Sequence, residues 1–440
     1  MKKAILLLLV ILSQNSIAQQ KFSLDEAVTY AQKNAYAVKN AKLDIDKAIK
    51  KKWETTTMGL PQINGKVDYQ NFIKQPVSLI PAQFFGGAPG EFAEVSFGTK
   101  QNLNASATLS QLIFDGSYLV GLQSAKVYLT ISKLADEKTQ KSIKEAVILA
   151  YGNVLLTKES ITILKNNIKL LEKNIHDTQK IYENGFAQEQ DVEQLQITLS
   201  NLKNQLQKTE SLLAISKKML GVTIGFPIES EFVLTDDLND LAKKNTSLEL
   251  LNASFNLDNH IDYKMEMNNI KAKELFIKLE KSKKMPSVAT FLNYALTANN
   301  DKFGFFNSNQ KWFDSSVFGV SINIPVFTSF KTNSRIQQAK IDLQKEQNNL
   351  TEIQEKLKLQ VEKAKTDYNF AIANFQNAKK RMVLAKRIEK KEQIKFFEGV
   401  GSSFNLTQAQ QQLYTTQQNY LQAIVQIIQT KAKLETALNL

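Results

Sequence analysis

Two spacings of apolar residues divide the chain. In the first, apolar positions recur at steps of three and four, through Val147, Ala150, Val154, Ile161, Leu164, Ile168, Leu171 and Ile175. The spacing resumes after Gly185 through Val192, Leu195, Leu199, Leu202, Leu206, Leu213 and Leu220. Sustained over many turns, this alternation marks helices packed as coiled coils. In the second spacing the period is two. Leu103, Ala105, Ala107 and Leu109 alternate with Asn102, Asn104, Ser106, Thr108 and Ser110, and Phe318, Val320, Ile322 and Ile324 alternate with Gly319, Ser321 and Asn323. Each run is about 10 residues, the length at which a tilted strand crosses a bilayer. Alternating faces fit a barrel with a lipid-facing exterior and a wet lumen. A sandwich with one solvated face has the same period.

Both spacings occur twice. A shift of 214 residues carries the helical stripe, without insertion, onto Val361, Ala364, Tyr368, Phe375, Ala378, Met382, Ala385 and Glu389. It then continues through Leu406, Ala409, Leu413, Thr416, Tyr420, Ile427 and Leu434, and the same shift carries Gly185 onto Gly399. The stretches entering the two glycines, about 118–184 and 332–398, contain no proline. Each spans on the order of 100 Å as one helix, against an average of about a dozen residues in soluble proteins. Each half therefore reads as an antiparallel hairpin of long helices, its first helix ended by glycine. Ser402 and Ser403 are N-cap candidates for the last helix.

At the other end, "LPQINGKVDYQNF" from Leu60 corresponds to "MPSVATFLNYALT" from Met285, and Pro61 and Pro286 stop the helices before them. Beyond Pro286, Val288, Leu292, Tyr294 and Leu296 take one side and Asn293 the other. The loops joining the paired strands, about 75–94 and 299–311, carry turn residues and aromatics, as outer loops would. Trp312 and Phe313 open a strand and belong either to an interfacial aromatic girdle or to a buried aromatic cluster.

This organisation predicts a signal peptide at 1–18 and a first repeat at 19–225, comprising a helix, a strand pair at about 61–114 and a hairpin at about 117–220. A connector follows at 226–258, with short helices. A second repeat at 259–440 has its strand pair at about 286–327 and its hairpin at about 331–438.

The N-terminal segment sets the compartment. Lys2 and Lys3 precede an apolar run, and Ser16, Ile17 and Ala18 form a small-x-small cleavage site before Gln19. This is a secretory signal, too short to span a membrane as a helix. With no cysteine in 440 residues there is neither a disulfide framework nor a cysteine for a lipid anchor. The net charge of +13, or +11 without Lys2 and Lys3, comes from lysines spread along helical faces, and an exported chain does not meet nucleic acid. Catalysis finds no constellation. His176 and His260 are the only histidines, both on helical stretches and without metal-ligand spacing. The loop "GGAPG" at 86–90 lacks the Gly-Lys-Ser/Thr of a phosphate loop, and Asp236, Asp237 and Asp240 read as helix-capping acids. The chain reads as a non-enzyme with no cofactor.

Four strands per chain cannot close a membrane barrel, since known ones begin at about eight. An open edge in lipid leaves backbone groups unpaired at several kcal/mol each. Spanning strands therefore require an oligomer. A coiled-coil scaffold or adhesin in the periplasm, never spanning a membrane, would explain the heptads but not two strand pairs.

At this point the chain resembles the TolC family of outer-membrane efflux and secretion channels over nearly the whole mature sequence. The resemblance is carried by the helix ends "LPQI" and "MPSV", the strand ends "QLIFDG" at 111–116 and "NIPVF" at 323–327, and the paired glycine turns. None is a strict motif alone; their duplicated order is specific. The resemblance implies an α+β membrane protein, a homotrimer with a 12-stranded outer-membrane β-barrel that continues into a periplasmic α-barrel of long hairpins. It implies a passive exit duct of a tripartite efflux pump or type I secretion system. Its partners would be outer-membrane lipid, a periplasmic adaptor (membrane fusion) protein gripping the helix tips, and an inner-membrane pump of the RND, ABC or MFS type. In the best-known members, acidic residues six and nine positions after the second glycine form a charged entrance constriction; here Asn405 and Gln408 stand there, both neutral. The first copy instead carries Glu189, Asp191 and Glu193. These acids either stabilise a helix N-terminus, each by about 0.3–1 kcal/mol, or form a carboxylate ring led by Asp191.

Overall fold

The computed structural model describes residues 20–440; the signal peptide expected at 1–18 lies outside the described residues. In chain order the first elements are β1 (Gln20–Phe22), α1 (Leu24–Asn34), α2 (Tyr36–Thr57), β2 (Gln62–Asn71), β3 (Val77–Pro81), β4 (Phe92–Ser96) and β5 (Gln101–Phe114). Next come α3 (Gly116–Glu183), α4 (Glu189–Ile224), β6 (Phe232–Leu234), α5 (Leu238–Lys244) and α6 (Ile261–Ser282). The chain ends with β7 (Ser287–Asn300), β8 (Phe313–Asn323), α7 (Lys331–Phe397) and α8 (Ser403–Leu438). Two compact units result. One takes residues through Ile45 with Ile131–Met267 and Asn348–Leu440, and the other takes Asp46–Thr130 with Asn268–Gln347.

The first unit is helical apart from one short strand pair. The 3–4 stripe packs where its spacing demands: Val147, Val154, Leu164 and Leu171 of α3 are buried, as are Val361, Tyr368, Ala378 and Ala385 of α7. Val147, Tyr151 and Leu155 join Leu220 and Ile224 of α4 and Leu421, Ile424 and Ile428 of α8 in the main core. A second cluster joins Val361, Tyr368 and Ala371 to Ile427, Leu434 and Leu438. One stretch of α3 is apolar and long enough to cross a membrane, and nearly half of it is buried within the chain. It reads as a packing helix.

The segment between the hairpins is held by two tyrosines. The Tyr151 hydroxyl shares its proton between the Phe22 carbonyl, 3.0 Å, and the Asp236 carboxylate, 2.8 Å. The same carboxylate accepts from the Leu24 amide at 2.6 Å. Asp236 thus satisfies the first amide of α1, from a distance in sequence, and does not cap the α5 helix that follows it. Asp237 does cap α5, accepting from the amides of Asn239 and Asp240, while Asp240 pairs with Lys243. The Tyr368 hydroxyl lies 2.8 and 2.9 Å from the carbonyls of Asn245 and Ser247. β6 pairs in parallel with β1, a contact that the reading of this segment as short helices did not include.

The second unit contains a four-stranded antiparallel sheet in the order β2-β5-β7-β8. Pro61 and Pro286 stand directly before β2 and β7, where their missing N–H and fixed φ end the helical run. β2 and β8 are edge strands. The connection between β2 and β5 is not a plain loop, since β3 and β4 pair within it as a five-residue hairpin.

Candidate functional site

The sheet separates its residues by chemistry. The register aligns Ile63, Leu109, Leu292 and Phe318 in one cross-strand row, and Val67, Ala105 and Leu296 in another on the same face. Ile63, Val67, Leu109, Leu292, Phe318, Val320 and Ile322 are all exposed. A water-soluble sheet does not leave such a face open.

The opposite face is polar and hydrogen-bonded across strands. Asn102 donates to Asn299 at 2.8 Å, Asn104 to Thr297 at 2.9 Å and Asn293 to Thr108 at 2.7 Å. Lys66 pairs with Asp68 at 2.9 Å on the same side. Phe291, Phe313 and Val317 are apolar residues on this face, and the Phe291 ring lies across β8 at Gly319, where a Cβ would collide with it. Trp312 and Phe313 are both exposed in the single chain. An aromatic cluster forms from Tyr69, Phe303, Phe305 and Phe306, with ring centroids 5.7–6.2 Å apart.

The hairpin ends form a second site, within the helical unit. Gly185 and Gly399 have φ of +78° and +75°, the left-handed region that costs a Cβ-bearing residue about 1–2 kcal/mol. Each closes the same C-cap. Gly185 N donates to the Tyr182 carbonyl and Phe186 N to that of Ile181; Gly399 N donates to Phe396 and Val400 N to Lys395. A Cβ at either glycine would meet open space, so backbone geometry alone selects the residue. The next residues project outward, Phe186 at 86% exposure and Val400 at 76%.

The following helices start differently. Gln188 caps α4, and its amide donates to the Asp191 carboxylate at 3.0 Å, closing a capping box. Ser402 caps α8, its hydroxyl accepting from the Asn405 amide at 3.3 Å, whereas Ser403 lies inside the helix and is buried. Glu189, Glu193, Asn405 and Gln408 are exposed. Asp191 is therefore a helix-capping carboxylate in this conformation.

Approaching the tips, the contacts between helices turn polar. Ser160 donates to Gln418 at 3.0 Å and Asn167 to Gln417 at 3.1 Å, joining α3 to α8. Gln393 of α7 donates to the buried Asn174 of α3 at 3.0 Å. Glu389, 5% exposed, has one carboxylate oxygen without a hydrogen-bond partner. Burial pushes its carboxyl above the usual range, opposed in part by Gln410 and Lys386. Of these residues only Glu389 holds a stripe position; Ser160, Asn167, Asn174, Gln393, Gln417 and Gln418 lie beside the stripe, so its spacing does not mark the seam.

The histidines take separate roles. His176 lies in α3, while His260 stands just outside α6 rather than within a helix, its Nδ1 accepting from the Asp262 amide at 3.2 Å. Among the described residues no cluster of three metal-ligating side chains occurs.

Residues 257–440 match the family model described as outer membrane efflux protein. None of the curated proteins matches the chain. Among solved structures, CusC, described in terms of folding and transmembrane channel formation, superposes with a TM-score of 0.73 at 15% identity, covering 94% of this chain and 91% of that one. The outer membrane protein VceC from Vibrio cholerae gives 0.69 at 13% identity, covering 94% and 95%. The Campylobacter jejuni CmeC outer membrane channel gives 0.70 at 15% identity, covering 94% and 85%. At these identities the likeness is one of fold.

Proposed function

We propose, from the match of residues 257–440 to the outer membrane efflux protein model and from the sheet described above, that the chain is a passive outer-membrane conduit of an efflux or secretion pathway. The observation that carries the proposal is the sheet: four strands, one face exposed and apolar, the other polar and hydrogen-bonded, and both edges open. Hydrocarbon satisfies the first face and a water-filled lumen the second. The edges require neighbours, because unpaired backbone groups in lipid cost several kcal/mol each. Three copies give twelve strands and leave a lumen, whereas two would give a barrel filled by side chains. The long hairpins form the periplasmic tunnel of this assembly. Their tips, with Phe186 and Val400 outermost, are its entrance and the surface gripped by an adaptor that links to an inner-membrane pump.

Detergent-solubilised protein measured by light scattering is expected to weigh three chains. A monodisperse single chain that needs no detergent would instead make it a periplasmic scaffold.

At the entrance, three copies of Asp191 are proposed to give the mouth a mild preference for cations. Salt screens this field with a Debye length of about 8 Å. Asp191→Asn is expected to lower the cation-to-anion permeability ratio at low salt in planar bilayers. Asn405→Asp with Gln408→Asp should raise it. An unchanged ratio in Asp191→Asn would leave this carboxylate a cap only.

A further inference from the structure

The longest connection in the sheet unit has no role in the conduit. Between β2 and β5 the chain runs through the β3–β4 hairpin and presents apolar side chains outward: Ile73 is 98% exposed and Phe84 80%, with Leu79, Phe85, Phe92 and Phe97 also exposed. The corresponding connection between β7 and β8 is much shorter. A polar-ended loop that displays this many large apolar groups marks a covered surface.

Topology says what covers it. The sheet is antiparallel throughout in the order β2-β5-β7-β8, so the C-terminal end of edge strand β2 and the N-terminal start of edge strand β8 lie at the same end. When β2 of one copy pairs with β8 of the next, as the proposed oligomer requires, antiparallel order is kept around the ring. Ile73, two residues beyond β2, then falls beside Trp312, one residue before β8 of the neighbour. Trp312 and Phe313 are themselves exposed in the single chain. Phe97 shares the root of the hairpin, because the Phe72 amide bonds to the Lys100 carbonyl at 2.8 Å and holds the two legs together.

We propose that the β3–β4 hairpin of each copy docks on Trp312 and Phe313 of the next copy, forming an apolar collar around the outer mouth. The occupant of the exposed patch is a second copy of this chain, and the collar continues the strand seam beyond the last backbone pair. This inference rests on the oligomeric reading above.

The absence of cysteine makes the test clean. In outer membranes, a variant with Ile73→Cys and Trp312→Cys, treated with a short bis-maleimide, is expected to convert most of the chain to covalent oligomers ending at three copies. Either single variant should stay monomeric on denaturing gels. A second pair, Phe97→Cys with Phe313→Cys, guards against a folding defect in the first. Light scattering on the same preparations separates the two possible failures. A three-chain particle with no cross-link in either pair overturns the collar and leaves the conduit standing, the patch then facing lipid or another protein. A single-chain particle without cross-links overturns both.

Discussion

Arginine in place of Leu109 is expected to keep the protein out of the outer membrane, whereas arginine in place of Thr108, one residue away on β5, leaves insertion intact. Leu109 sits in the row with Ile63, Leu292 and Phe318, all exposed on the apolar face. On a lipid-facing strand near mid-bilayer an arginine costs about 2–4 kcal/mol, and an oligomer incurs that cost in every copy. Thr108 sits in the opposite row, bonded to Asn293 at 2.7 Å on the polar face. Its replacement removes one cross-strand hydrogen bond, about 1 kcal/mol, and the arginine finds water. Membrane fractionation and the particle mass of both variants decide the matter. Equal tolerance of the two arginines would mean that neither face meets lipid.

The second large effect is expected at Glu389. It holds the stripe position that Ile175 holds 214 residues earlier, and it is a buried carboxylate with one oxygen unpartnered. Glu389→Met should raise thermal stability at pH 8 by about 1–3 kcal/mol, the usual cost of an unsatisfied buried polar group, and gain much less in acid. The sign follows from linkage. Burial raises the carboxyl pKa in the folded chain, so on leaving acid the unfolded chain, near its ordinary value of about 4.3, releases its proton first. Folding is therefore penalised progressively from that pH upward, and the penalty is complete above the folded-state pKa. Methionine removes the penalty only where it exists. Thermal melts of detergent-solubilised protein at pH 4 and pH 8 provide the check. An equal gain at both pH values would assign the whole effect to packing.

What could be read in advance followed the length of each signal. Long proline-free stretches with a 3–4 stripe could only be long helices, and runs such as 103–109 could only be strands with unlike faces. β1 and β6, three residues each, are too short to show a period, and their pairing depends on the Tyr151 and Asp236 contacts between distant segments. β3 and β4 are five residues each and partly apolar on both sides, so alternation fails there too. Strand order was equally hidden. Alternation says which face a residue takes but not that β5 lies beside β7. At the tips, the glycines and Ser402 could be read from turn chemistry. That Asp191 closes a capping box with Gln188 could not, because glutamine is not a usual cap residue. The capping box of Ser23 and Glu26 at the start of α1 was a stronger local signal, and the hydropathy pattern passes over it.

The two open edges of the sheet bear on how the conduit is made. A single copy leaves β2 and β8 without partners and turns an apolar face toward water. In the periplasm such a sheet pairs with any strand it meets, and in the bilayer its bare edges repel it. On the proposed oligomeric reading neither compartment suits a lone copy, and folding into the membrane and recruiting neighbours are expected to be one kinetic step. Its rate should then climb steeply with the number of newly made chains.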